Sequence, residues 1–491
     1  LGMVFPIVYN FGTNIFLEQI SYITEALATV LQLGVTMDFS IFLLHRFEEE
    51  KRFCPDEDEA MVRAVQKTFS SILASSLTTI AGFLAMCTMR LTLGRDIGIV
   101  MAKGVLLGVV STVTILPALI LTFRRSIARH THRTFIPKLR RTSRFVVRRY
   151  IPILAVFVFC FIPFSVAQAK TPVYYTLFDS LPQDLAGIQG TSRLKEDFGM
   201  TTSHFIIVDD GLPARDMEAL TDEIEQVDGI RQVLSYEKFL GGGVPREVLP
   251  TEVRQIFCAG GHEMLLANSS YESGTEAQNA QLDALNAIVK RYDPNGVITG
   301  EGAMTKDLIE VADVDFRSVS IASIAAVFLI IAISFRSASI PVLLVAAIES
   351  AIMINMGIPY FTGTTLPFVA SIVIGTIQLG ATVDYAILMT TRFREELNAG
   401  RSTKDAVQTA VEQCSQSILT SGLTFFAATF SVSLASRMEL ISSLCRLISR
   451  GALISMLVIL LVLPALLILT APLIRKTTYH WLSKEKETKT I

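Results

Sequence analysis

Hydrophobic residues along this 491-residue chain gather into runs long enough to cross a bilayer as helix. The runs fall at about 19–45, 69–90, 98–123, 150–168, 316–335, 339–358, 365–391, 416–437 and 450–473, and residues 1–14 read as the end of another. Between the fourth and fifth runs the pattern changes. SHFIIVDD (203–210) and IRQVLSY (230–236) have strand character, and PARDMEALTDEIEQV (213–227) between them has helical spacing. After Gly241-Gly242-Gly243 the order recurs: HEMLLANS (262–269) as strand, GTEAQNAQLDALNAIVKRY (274–292) as helix and GVITG (296–300) as strand. Two such units predict a ferredoxin-like, split-βαβ α+β domain.

The apolar pattern is written twice. QLGVTMDFSIFLLHRFEEE at 32–50 and QLGATVDYAILMTTRFREE at 378–396 align at a constant offset of 346 residues. SILASSLTT (71–79) matches SILTSGLTF (417–425) at the same offset, and Lys103-Gly104 with LPAL (116–119) matches Arg450-Gly451 with LPAL (463–466) at 347. YNFGTN (9–14) echoes INMGIP (354–359). The chain is therefore expected to hold two copies of a multi-helix unit, the first lacking its beginning: an N-terminally incomplete chain without a signal peptide.

A content of 51% hydrophobic residues and mean hydropathy of +0.49 fit a polytopic membrane protein. The net charge of −2 hides segregation: ten Lys or Arg and no acid lie between Arg124 and Arg149, whereas 172–315 is acid-rich. The positive-inside rule puts 124–149 in the cytoplasm and the acid-rich stretch outside. Arg46, Arg336, Arg392 and the Lys-rich tail then also fall inside. Of the six cysteines, Cys258 alone lies in the exterior stretch, so no disulfide framework is expected.

Each copy of the repeat places one carboxylate, Asp38 or Asp384, in an apolar helix, eight residues before Arg46 or Arg392. That is about 12 Å from the cytoplasmic end, near the midplane. An intramembrane acid is costly and marks function by default. Gly34 and Thr36, or Gly380 and Thr382, give each helix a small polar face. Ser75, Ser76 and Thr78, or Ser421 and Thr424, supply hydroxyls to bind a carboxylate or pass a proton. A carboxylate that gains and loses a proton changes its preference for apolar surroundings, which can bias one helical repeat against the other. The alternatives are a structural acid or a sodium ligand. Glu349, midway along 339–358, is a secondary candidate, and Glu25 is read as reaching headgroups or water. His130 and His132 have no acid or Cys beside them and do not indicate a metal site. The basic loop is a topology determinant that touches anionic lipid rather than nucleic acid. Asn268-Ser269-Ser270 is a glycosylation sequon with weak specificity. There is no Walker-type loop, nucleophile elbow or HExxH motif, which argues against ATP-driven transport and hydrolysis.

GVTMDF and GATVDY at equivalent midplane positions, each running into Arg-Phe and acids, with SFRSASIPVLL (334–344) and RGALIS leading to LPALL (450–467), resemble the RND superfamily and within it the MMPL family of lipid and hydrophobic-compound exporters. The resemblance covers essentially the whole chain and implies an RND/MMPL-like helical fold of twelve membrane helices with two exterior porter domains. On that plan, 1–149 holds the end of the third helix and helices four to six with the basic loop 124–149. Helix seven follows at 150–171, the second porter domain at 172–312, helices eight to twelve at 313–475 and a cytoplasmic tail at 476–491. The resemblance also implies a proton relay of Asp38, Asp384 and Tyr385. Phe39 stands where the family has a second tyrosine, so the relay is expected to be asymmetric, with Asp384 the stronger candidate for titration.

The function expected is export of lipids or other hydrophobic or amphipathic compounds across the bacterial cytoplasmic membrane, driven by the proton motive force. The protein would be a secondary active transporter and not an enzyme, with protons as coupling ion, no cofactor, no metal and no catalytic residue. Its partners would be the lipid or hydrophobic small-molecule substrate and membrane lipids, with no nucleic acid; the superfamily includes monomers and trimers, so a homo-oligomer stays open. The alternatives are a Patched-like or sterol-sensing receptor and a non-transporting membrane scaffold.

Overall fold

A computed structural model describes residues 2, 4–17, 19–129, 139–176, 181–236, 238 and 255–479. The His130/His132 pair, the Gly241-Gly242-Gly243 run and the tail beyond Tyr479 lie outside the described residues. The chain forms two compact units, Leu1–Val173 with Val314–Ile491, and Tyr174–Asp313.

The first unit is helical. Its elements are α1 (Val4–Gly12), α2 (Tyr22–Glu50), α3 (Glu57–Ala85), α4 (Thr92–Thr122), α5 (Arg124–Arg129), α6 (Arg140–Arg148) and α7 (Tyr150–Ala169). The second unit supplies α8 (Ala186–Phe198), α9 (Ala214–Glu225) and α10 (Glu276–Tyr292). The chain continues with α11 (Glu301–Phe335), which carries residues of both units, then α12 (Ser339–Thr362), α13 (Phe368–Asn398), α14 (Thr403–Ala435), α15 (Glu439–Leu457) and α16 (Leu463–Thr477). Among the described residues nine helical stretches are long and apolar enough to cross a membrane, one on each of the nine apolar runs.

Helix starts depart from the edges of those runs, because capping rather than hydropathy sets them. Asp56 accepts from the Asp58 N–H at the start of α3, followed by three acids that suit the helix dipole. Ser402 accepts from the Asp405 N–H at the start of α14. These polar turns are helical but carry no apolar signal. The final run is likewise not one α-helix: a π-helical turn at Val458–Val462 precedes Pro464, whose missing N–H would otherwise break the ladder.

Burial orders the bundle. In α13, 83% of the residues in the apolar window are buried, against 6% in α7, so α13 is central and α7 stands at the rim. Asp315 of α11, buried, accepts from the backbone N–H groups of Arg90 (2.8 Å) and Leu91 (3.0 Å), satisfying donors ahead of α4.

The second unit contains β1 (Thr202–Asp209), β2 (Ile230–Leu234), β3 (His262–Ser269) and β4 (Val297–Thr299), hydrogen-bonded in the order β2-β3-β1-β4 with antiparallel neighbours. With α9 after β1 and α10 after β3, this is the βαββαβ topology of a ferredoxin-like domain. Alternate β1 residues Ile206 and Val208 pack with Met217, Leu220, Ile224, Leu285 and Val289 of the two helices. Asn268 of the sequon is 1% exposed in β3 and accepts from Ser203 Oγ at 2.9 Å, which closes it to glycosylation. The helix α8 was not expected; it buries no residue.

Two positions in this unit carry measurable consequences. Gly300 has φ +115°, and a Cβ there would sit 2.6 Å from the Ser203 carbonyl oxygen. Gly300→Ala is expected to destabilise the unit by about 3 kcal/mol, since neither the strained dihedral nor a backbone clash can relax cheaply. Hydrogen exchange of the β1 amides in the intact chain would register it. His204, fully buried on β1, meets Gln281 Oε1 through Nε2 at 3.2 Å, while Nδ1 has no partner among the described residues. Burial pushes its imidazole below the ordinary 6.5. The unfolded chain then binds the proton at higher pH than the folded one, so stability is full above about 6.5 and falls as pH drops toward the folded value. Protection of β1 should decline between pH 7.5 and 5 in the parent chain and much less in His204→Gln.

Candidate functional site

The two intramembrane acids meet in one cavity. Six positions from each repeat line it at the offset of 346: Asp38 with Asp384, Phe39 with Tyr385, Phe42 with Leu388, Ser71 with Ser417, Ile72 with Ile418, and Ser75 with Ser421. Ile387 completes the wall. The cavity measures about 50 Å³, several times the ~10–15 Å³ that one water needs. Two carboxylates, a phenol and four serine hydroxyls line it, with room for a few waters, inside an apolar bundle.

The hydroxyls cross between the copies. Ser421 of α14, in the second copy, donates to Asp38 Oδ1 of α2, in the first. Ser75 and Thr79 of α3, in the first copy, face Asp384 of α13, in the second. Thr79 Oγ1 also donates to the Gly380 carbonyl at 2.8 Å. Close helix contact makes this possible: a Cβ on Gly82 would lie 3.6 Å from Gly380 Cα. At the other crossing a Cβ on Gly34 would overlap the Phe425 ring. The two glycines of the repeated motif are thus the points where the halves touch.

The two acids are not equivalent. Asp38 accepts from Ser421 and faces the Tyr385 phenol. Both Asp384 oxygens are buried without a hydrogen-bond partner among the described residues, and the position corresponding to Tyr385 is Phe39, 3% exposed and without a hydroxyl.

Other candidates lie elsewhere. Thr78 and Ser76 donate to carbonyls of their own helix, at Ser75 (2.6 Å) and Leu73 (3.0 Å). Thr424 donates to Thr420 (2.8 Å) and Thr382 to Gln378 (2.7 Å). Thr36 packs against Gly108 of α4, where a Cβ would come within 2.6 Å of its hydroxyl. Glu349 of α12 is half-buried and is not among the residues lining the cavity, and Glu25 is exposed in the first turn of α2.

Ser71, Ser417 and Thr79 escaped notice although all stand in, or opposite, the repeated segments; applying the offset to every polar residue finds the serine pair. Gln32 and Gln378 stand at the same offset and each centres a buried amide network. Asn10 Nδ2 donates to Gln32 Oε1 (2.8 Å) and Gln32 Nε2 to the Gly104 carbonyl (3.2 Å). In the second copy Asn355 Nδ2 donates to Gln378 Oε1 (2.9 Å), and Gln378 Nε2 to the Gly451 carbonyl (3.3 Å) and Ser455 Oγ (2.9 Å). Each network ties an Asp-bearing helix to its neighbours. Arg450 Nε caps Asn355 Oδ1 at 2.8 Å, whereas Lys103 reaches Asn14 (2.6 Å) and Asn10 Oδ1 has no partner among the described residues.

A bundle with nine candidate spans among the described residues, internal twofold repetition and a pair of acids at the crossing of the repeats defines a polytopic membrane protein with the architecture of repeat-built transporters. The sequence model of the MMPL family matches residues 1–153 and 181–488, and the chain belongs to that family. It is 26% identical over 389 residues to the membrane protein ActII-3 of Streptomyces coelicolor, covering 76% of this chain and 52% of that one. It is 24% identical over 162 residues to the mycolic acid-containing lipids exporter MmpL11 of Mycolicibacterium smegmatis, covering 33% and 16%. The fold is similar to SecDF, a translocon-associated membrane protein from Thermus thermophilus, with a TM-score of 0.61, 14% identity, and coverage of 96% of this chain and 58% of that one. The chain spans about half the length of the curated relatives that it matches along most of its own.

Proposed function

We propose that this chain forms part of a secondary active transporter that exports lipids or other hydrophobic or amphipathic compounds across the bacterial cytoplasmic membrane at the expense of the proton motive force. The observation that carries the reading is the convergence of Asp38 and Asp384, one from each repeat, on one cavity with room for a few waters, lined by exchanged hydroxyls. Protonation of either acid removes a buried charge at the crossing of the two repeats and so changes the packing they prefer. Tyr385, Ser421 and Ser75 carry the proton by way of water. Family membership and the likeness to MmpL11 support a lipid or similarly apolar cargo, and the ferredoxin-like unit would be the extracytoplasmic porter domain along its path.

The test is export in cells whose gradients are collapsed separately. Comparing the extracted surface lipids of cells with and without the protein identifies cargo. A protonophore should stop its appearance outside, and a sodium ionophore at constant proton gradient should not. Loss with the sodium ionophore alone would make the acids sodium ligands, and indifference to both would favour a receptor or scaffold.

A further inference from the structure

Just ahead of the rim helix α7, and outside the paired-acid site, lies α6, whose sequence RRTSRFVVR has two opposed faces. One face is docked. Ser143 and Val146 are each 0% exposed, and Ser143 Oγ donates to Glu412 Oε1 of α14 at 2.9 Å. Gln408 donates to the same oxygen at 3.1 Å. The other face carries Arg140, Arg144 and Arg148 at four-residue spacing, with Arg141 beside them and Arg149 at the cap, all exposed. Among the described residues none of these five guanidiniums is in an ion pair. Like charges four apart disfavour a helix, so the stripe persists against its own repulsion because the opposite face is held. Phe145, 57% exposed, projects among the arginines.

What surrounds this face follows from the next element. Arg149 alone separates α6 from α7, which packs one side on α12 and leaves Ile151, Val156, Val158, Phe159, Ile162 and Val166 exposed, an apolar face that suits lipid. The arginines thus sit at the bilayer edge, where phosphate headgroups lie. Guanidinium forks bind phosphate oxygens in pairs, and an aromatic ring at headgroup depth is stable there. Basic amphipathic segments next to a span draw anionic lipid.

We infer that the exposed face of α6 is a binding site for the headgroup of an anionic phospholipid, held in place by the Ser143–Glu412 contact. α14 bears Glu412 and, nine residues on, Ser421, which binds Asp38. The lipid site is therefore built on the same helix as the acid site, about 14 Å along it. The inference requires membrane embedding and does not depend on proton coupling or on the cargo.

Native mass spectrometry of the full chain, loaded with equimolar phosphatidylglycerol and phosphatidylcholine, tests it. The parent chain should retain phosphatidylglycerol preferentially. Arg140/Arg144/Arg148→Gln should lower that retention by roughly tenfold or more, while the matching Lys variant, which keeps the charge, retains most of it. The thermal midpoint in phosphatidylcholine alone checks folding; should the triple variant unfold, Arg144→Gln takes its place with a smaller loss in the same direction. Equal retention of the two lipids by the parent chain would overturn the site. So would undiminished retention of phosphatidylglycerol by the folded glutamine variant, and the arginines would then be free for an acidic protein partner.

Discussion

Asp384→Asn is expected to reduce proton-driven export by about a hundredfold or more while leaving abundance and thermal midpoint close to those of the parent chain. Asparagine has nearly the shape of aspartate and does not titrate, so the substitution removes proton exchange and little else. No hydrogen bond of ordinary geometry reaches either Asp384 oxygen among the described residues, although the Ser75 and Thr79 hydroxyls face the carboxylate, so an amide of the same shape loses little and the stability change should stay within about 1 kcal/mol. Asp38→Asn should abolish export as well, but with a larger structural effect, because Asp38 accepts from Ser421 and faces Tyr385. The amide must rotate to present its oxygen to one hydroxyl and its nitrogen to another. Proton uptake by reconstituted protein, measured beside export and thermal melting, separates the two variants. Normal export by Asp384→Asn would remove this acid from the coupling mechanism.

Much of this architecture is visible in the order of residues, and for identifiable reasons. The nine spans stand out because lipid tolerates no exposed backbone and demands long apolar runs. The strands and helices of the second unit stand out because one face of each packs on a shared core, which imprints period 2 on HFIIVDD and helical spacing on MEALTDEIEQV.

The acids of the candidate site were legible as charges in apolar surroundings, but their partners were not. Periodicity shows which face of a helix is polar, not which helix it meets. Assigning Ser75 to Asp38 and Ser421 to Asp384, each within its own half, is the natural expectation from sequence. The bundle exchanges them because α3 crosses α13 at Gly82 and Gly380, and α2 crosses α14 at Gly34 and Phe425. From sequence, Thr78 and Thr424 stand as hydroxyls for a carboxylate and Thr382 as part of a small polar face. Each bonds a carbonyl in its own helix, the usual way such side chains are satisfied in an apolar setting.

The amide networks lead to the second large effect. Gly451→Ala should destabilise the membrane unit by about 2–4 kcal/mol, and clearly more than Gly104→Ala at the matching position. A methyl on Gly451 would sit 2.4 Å from Gln378 Oε1 and 2.6 Å from Asn355 Nδ2, two atoms already bonded to each other at 2.9 Å. Neither has room to retreat, since Gln378 is also tied to Ser455, and Asn355 to Arg450 and the Leu447 carbonyl. The collision therefore breaks buried hydrogen bonds or pushes α15 away from α13. At Gly104 the nearest atoms stand at 2.8 Å (Asn10 Nδ2) and 3.1 Å (Gln32), and among the described residues no cation holds Asn10 Oδ1, so its amide can rotate with fewer bonds lost. Gln378 lies six residues before Asp384 on α13, so Gly451→Ala should also depress proton uptake without touching an acid. Thermal melting of the two alanine variants checks the order of stability. If alanine at 451 is tolerated as well as alanine at 104, the second network does not hold α13 in place, and the difference between Arg450 and Lys103 carries no structural weight.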